Sequence, residues 1–373
     1  MVRIGSNAAQ SSNASQRLAS LDVFRGLTMF LLVAEGARVY QTLLSPGSDG
    51  ALLQSFFTQF THHPWNGLRF WDLVQPYFMF IVGVAMPFSF SKRRERGDSS
   101  WDITRHVVLR SVTLLLLGIL LHIVGSGHLT LELWNVLAQL SFTYLVAFLM
   151  MNRSFRTQLG FTVGLLVITE LLYRTWPIAG FNQPFTPDQN FGSWVDMVLM
   201  GKLSGGHWVA FNAVPTTAHT MWGVMAGYLL RSDRAPLEKL KLLIIPGVAA
   251  VALGYAMDPV TPIIKRICTS SFVIVSGGWC LLTLAFFYWL VDLAGYRRWS
   301  QFAVVFGMNP IFIYMFAHLG GDNWLATIVH PFSNGILGGS GQYTVALVTA
   351  FAVLWMDWYI VNWLHRHRIY IRI

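Results

Sequence analysis

The 373 residues are 54% hydrophobic and only 12% charged, with a mean hydropathy of +0.50, which is too apolar to be buried inside a water-soluble domain of this size. The net charge of +9 does not mark a nucleic-acid binder, because Lys and Arg sit in short clusters between apolar runs and are not spread along one face or tail. The expectation is a single all-α, polytopic membrane domain with the lipid bilayer as part of its solvent.

Residues 1–20 are polar and read as a cytoplasmic tail; the apolar run from Leu21 onward is long enough to span, so no cleavable signal peptide is expected. Residues 21–373 form the membrane domain. Ten spans are predicted, at about 21–40, 72–91, 103–124, 131–151, 157–173, 210–230, 240–257, 269–293, 302–319 and 343–363. Alternate loops hold Lys92, Arg93, Arg94, Arg96 and Arg105, then Arg153 and Arg156, then Arg231, Arg234, Lys239 and Lys241, then Arg297 and Arg298, with Arg366, Arg368 and Arg372 in the tail. By the positive-inside rule these face the cytoplasm, as do both termini. The long alternate segments 41–71, 174–209 and 320–342 are rich in Gly, Pro, Trp and Asn and would form compact outer loops over the membrane mouth.

Within the first span, Asp22 and Arg25 stand three apart on one helical face, an arrangement expected to be a structural ion pair. Glu35, in the outer third of that span, has no cation nearby in sequence and needs a partner from another helix. The first outer loop closes on Thr61-His62-His63-Pro64-Trp65-Asn66-Gly67-Leu68-Arg69-Phe70-Trp71-Asp72. Two imidazoles, an amide and a carboxylate within ten or so residues can hold a general base and the group that orients it, since a His–carboxylate bond fixes the tautomer and raises basicity. The plainer reading has Asp72 capping the second span and the aromatics in an interfacial belt. Arg110, His122, Glu132, Gln139, Glu170, His219, Asn309 and His318 are further polar groups at membrane depth, most of them expected to link helices. The Gly160/Gly164 and Gly223/Gly227 pairs have a spacing that permits a homodimer seam, although ordinary helix packing is the commoner use. Cys268 and Cys280, twelve apart on one predicted helix and so roughly 18 Å apart, cannot pair with each other. No soluble-enzyme motif and no metal-ligand spacing occurs, so no metal is expected. Buried Glu and His also suit a proton-coupled transporter, the alternative class, but no inverted repeat is visible.

Five segments, in order, resemble the transmembrane acetyltransferase family of heparan-α-glucosaminide N-acetyltransferase and its bacterial homologues. They are "RLASLDVFRGLTMFLLV", "THHPWNGLRFWDLVQPYFMFIVGVAM", "LWNVLAQLSFTYLVAFL", "TPIIKRICTSSFVIVSGG" and "FGMNPIFIYMFAHL". The resemblance implies a membrane-embedded acyltransferase moving an acetyl group from cytoplasmic acetyl-CoA, as co-substrate, to an amine or hydroxyl of a sugar or glycan at the outer face. It places the family's catalytic histidine at His62, with Asp72 orienting it. His62 would either become transiently acetylated or deprotonate the acceptor directly. Asn66 and Asn309 would hydrogen-bond the thioester or the acceptor, Lys265 would hold phosphate or sugar oxygens, and His318 would complete the site. Trp65, His63 and Glu35 are the remaining candidates for substrate contacts. Glu35 and Gly36, where relatives often carry Asn, together with His219 and Gln75, depart from the family pattern. The departures fall where an acceptor would be recognised.

Overall fold

The computed structural model describes residues 18–45 and 51–371; most of the polar tail, and Arg372, lie outside them. About 75% of the described residues are helical. Among the described residues the only β-type pairing is one antiparallel bridge, Asn66 to Ile264.

The helices in chain order are α1 (Ala19–Gly36), α2 (Val39–Leu43), α3 (Ala51–Thr58), α4 (Val74–Glu95), α5 (Ser100–Ser126), α6 (Val136–Met150), α7 (Phe155–Thr175), α8 (Phe191–Met200), α9 (Ala213–Arg231), α10 (Pro236–Met257), α11 (Ser270–Phe287), α12 (Ser300–Met308), α13 (Pro310–His318), α14 (Gly321–Leu337) and α15 (Gln342–Arg366). A 3-10 turn, Phe70–Leu73, leads into α4, and a π-helical turn, Tyr288–Leu293, extends α11.

Every predicted span coincides with a helix or a helix pair, but the helices are not equivalent. Among the described residues, six are individually long and apolar enough to cross a membrane: α4 with its 3-10 turn, α5, α7, α10, α11 with its π turn, and α15. A seventh arises if α12 and α13, bent by 76° at Asn309, count as one. Helix α1 carries three charged groups, Asp22, Arg25 and Glu35; α9 opens on Pro215-Thr216-Thr217-Ala218-His219-Thr220; and α6 has 15 residues. The polarity of α1 and α9 has one physical reason, for both lie inside the bundle, where neighbouring helices and not lipid are their solvent.

Burial sorts centre from periphery. The apolar window of α4 is 67% buried, whereas those of α7 and α10 are 22% and 17% buried and turn Val163, Leu171, Ile245 and Leu253 outward. An apolar residue exposed on such a helix is satisfied by hydrocarbon, so the chain is an integral membrane protein. Helix α4 packs along α9 at backbone contact. A Cβ on Gly83 would stand 2.0 Å from the Thr220 carbonyl oxygen, and one on Gly223 2.2 Å from that of Phe80. The result is a dense inner layer of α1, α4, α9 and α11 with Phe24, Trp71 and Phe80 fully enclosed.

Candidate active site

The loop between α3 and α4 folds back onto the segment between α10 and α11. The Gly67 amide donates to the Ile263 carbonyl (2.8 Å), next to the Asn66–Ile264 bridge, which brings His62 and Lys265 together from opposite halves of the chain. Gly67 has φ +142°, and His63 packs its ring where a Cβ would be, with Nε2 at 2.6 Å from that position. His63 is thereby turned away from His62 into a separate surface recess beside Arg69.

Asp72, 1% exposed, uses its two oxygens differently. Oδ2 accepts from the Arg69 amide (2.9 Å) and, at longer range, from the His63 amide (3.3 Å), which caps the turn entering α4. Oδ1 faces His62 Nδ1 at 3.0 Å. The capping and the catalytic readings of Asp72 are thus both compatible with one carboxylate. Arg69 closes the loop by donating to Thr61 Oγ1 (2.7 Å) and to the His62 carbonyl (3.0 Å).

Lys265, 6% exposed, sets its Nζ 3.0 Å from the same His62 Nδ1 and 3.8 Å from Asp72 Oδ1. The single nitrogen can serve only one of these neighbours at a time: Nδ1–H donates to Asp72, or the Nδ1 lone pair accepts from Lys265. A proton on Nδ1 leaves Nε2 with its lone pair free, and Nε2 has no hydrogen-bond partner among the described residues. Burial, and next the Lys265 charge, pull the His62 pKa down to about 4, with Asp72 opposing them. His62 is therefore a neutral imidazole at neutral pH. Burial likewise lowers the Lys265 pKa, opposed first by Asp72.

Three cavities follow one another through this point. A bowl of 660 Å³ has His62, Lys265, His318 and Trp208 on one side and Trp134, Glu132 and Lys202 on the other. Beneath it a 170 Å³ pocket is lined by Glu35, His62, Trp71, Gln75, Lys265 and His318. A 320 Å³ chamber then shares Phe78, Val136 and Tyr314 with that pocket and is largely apolar, with Arg25, Ser89 and Arg110 as its polar lining. Arg25 stands ten residues along α1 from Glu35, roughly 15 Å by helix rise.

The structure thus gathers His62, Asp72, Lys265, Glu35 and His318 around one junction. Trp65 is instead an anchor for the next long loop, its indole N–H donating to the Phe185 carbonyl (2.8 Å). Asn66 is exposed and lines none of the three cavities. Asn309, 0% exposed, is not brought to the cluster: it ties down the end of the chain, donating to the Ile369 carbonyl (2.9 Å) and accepting from the Ile371 amide (2.9 Å). The reason is the break at Pro310, which leaves α13 between Asn309 and His318. Asp22 and Arg25 lie 3.9 Å apart, and Arg25 also reaches the chamber. Sequence reasoning passed over Trp208, whose ring receives His62 edge-on at 5.2 Å and faces the cations of Lys265 and Arg266 at 5.3 and 5.2 Å. It also passed over Trp134 and Tyr314. A lone aromatic in an aromatic-rich membrane chain carries no local signal of this kind. Among the described residues no group of three or more His, Cys, Asp or Glu side chains is arranged to hold a metal ion.

A stretch of 109 residues is 30% identical to heparan-alpha-glucosaminide N-acetyltransferase of Mus musculus, and one of 105 residues is 31% identical to that of Homo sapiens. These stretches are 29% and 28% of this chain and 14% of each relative's own length. The resemblance read from the motifs therefore stands on part of the chain. The family described as Domain of unknown function (DUF5009) matches residues 17–222, which include α1, the His62 loop, the Trp134 wall and the whole of α4 to α8. That match covers more than half of the sequence, and the chain belongs to the DUF5009 family.

Proposed function

We propose that this protein is a membrane-embedded acyltransferase that carries an acetyl group from cytoplasmic acetyl-CoA to an amine or hydroxyl of a sugar held at the outer face. In this reading the protein crosses the membrane ten times, through α1, α4, α5, α6, α7, α9, α10, α11, the α12–α13 pair and α15, with both termini in the cytoplasm. The observation that carries the proposal is the His62–Asp72 pair at the junction of the cavities, with Nε2 unengaged.

Acetyl-CoA is too polar to cross lipid, so the donor enters from the end bearing Arg25 and Arg110, whose guanidinium groups suit its phosphates. Its slender pantetheine arm passes Phe78, Val136 and Tyr314 and sets the thioester below His62. The acceptor occupies the bowl. His62 Nε2 takes a proton from the acceptor, whose nitrogen or oxygen bonds to the acyl carbon as the C–S bond breaks; the proton then passes to the departing thiolate. In the covalent variant Nε2 bonds to the acyl carbon as the C–S bond breaks and the thiolate departs; the acceptor then bonds to that carbon as the Nε2–C bond breaks, and its proton passes to the released imidazole and from there to the thiolate. Asp72 holds the reactive tautomer in both.

Purified protein in lipid nanodiscs, given acetyl-CoA and D-glucosamine, should release CoA only when the amine is present. His62→Ala should lower that rate by about 10²-fold or more. Wild-type rates in His62→Ala would refute the assignment, and solute uptake by proteoliposomes without CoA release would favour a carrier.

A further inference from the structure

Across the bowl from His62 stands a second constructed wall that the chemistry at His62 does not require. Trp134, in the extended lead-in to α6, has its indole N–H bound by Asp196 Oδ2 at 2.7 Å. Asp196 is 0% exposed and its other oxygen accepts from the Ala210 amide at 2.9 Å. An enclosed carboxylate is costly unless its oxygens are hydrogen-bonded, and this one is satisfied only with the Trp134 indole in place. The orientation of the ring is therefore imposed from α8. Beside it, Glu132 accepts from Lys202 (2.6 Å) and lies 2.5 Å from His122 Nδ1, and the Lys202 ammonium sits 5.9 Å from the Trp134 ring centre. Glu132 and Lys202 remain 18% and 35% exposed, both to the bowl.

Resting on the acyl-transfer reading, we propose that this wall is the acceptor-selecting subsite: a pyranose ring stacks on Trp134 while two adjacent hydroxyls bind the Glu132–Lys202 pair. The chemistry is complementary. A sugar ring presents a face of C–H groups to an aromatic surface, and vicinal hydroxyls present a donor and an acceptor side by side, as a carboxylate hydrogen-bonded to an ammonium can receive. Asp196 acts through Trp134 and is a positioning residue.

The test compares two amines with acetyl-CoA as donor: D-glucosamine, and n-butylamine, which has neither ring nor diol. Trp134→Ala should raise KM for glucosamine about tenfold with kcat within a few-fold of wild type, and raise KM for butylamine several-fold less than that. Trp134→Phe, which keeps an aromatic face, should restore most of the affinity. Asp196→Ala should shift KM in the same direction, and Asp196→Asn, which keeps one acceptor oxygen for the two N–H donors of Trp134 and Ala210, should give a smaller shift that lies between wild type and Asp196→Ala. Should wild type acetylate glucosamine while Trp134→Ala keeps its KM, or raises KM for both amines alike, the subsite is refuted and the acyl-transfer reading survives. If wild type acetylates neither amine, the acyl-transfer reading falls and the subsite with it.

Discussion

At the scale of residues, one imidazole nitrogen has two competing neighbours. Asp72 favours the Nδ1–H tautomer, whereas Lys265 repels a proton there and, after burial, is the larger cause of the depressed His62 pKa. The acid limb of the transfer rate should therefore fall near pH 4 and not near the ordinary 6.5. Lys265→Met should move the limb upward, as read from a pH–rate profile. Asp72→Asn removes a cause that raises the pKa, so its limb should move downward while kcat drops by about 10²-fold or more, because the tautomer is no longer held. A histidine whose folded pKa is lowered contributes stability that is complete above pH 6.5 and is lost as pH falls toward 4. Thermal unfolding of His62→Ala should accordingly be less sensitive than wild type to acidification across that window.

At the scale of elements, two glycine pairs with the same spacing behave differently. Gly223 meets the Phe80 backbone and Gly227 the Val84 carbonyl oxygen, at 2.2 and 2.5 Å from a built Cβ, whereas nothing lies within 4 Å of Gly160 or Gly164. Gly223→Ala forces α4 and α9 apart and should cost about 1–3 kcal/mol, read as a lower unfolding temperature in detergent. Gly160→Ala should be neutral or slightly stabilising by the same measurement, since it only improves helix propensity. The sequence pattern was identical for the two pairs, and only the neighbours distinguish them. The α12–α13 pair teaches the same lesson. Residues 302–319 read as one continuous span, yet Pro310 has no amide to continue the ladder, and the chain turns by 76° at Asn309.

At the scale of the whole molecule, the ten-span reading assigns residues 92–98 to the cytoplasm and 176–190 to the outer side. Cys268 and Cys280 are both buried, so single added cysteines can report on topology. In intact cells, Arg96→Cys should react with a membrane-impermeant maleimide only after permeabilisation, and Asn182→Cys before it; equal labelling would overturn the orientation. Composition and the length of apolar runs were enough to establish a helical membrane protein, because hydrocarbon admits few alternatives to hydrogen-bonded helices. The short spacing from His62 to Asp72 was likewise legible, since ten residues and one glycine turn close on themselves. The arrival of Lys265 203 residues later along the chain, the turning away of His63, the distance of Asn309 from the junction and the placing of Trp134 by Asp196 were decided by tertiary structure alone. Each depends on which helices share a face, and side chains far apart in sequence acquire their neighbours only when those helices pack.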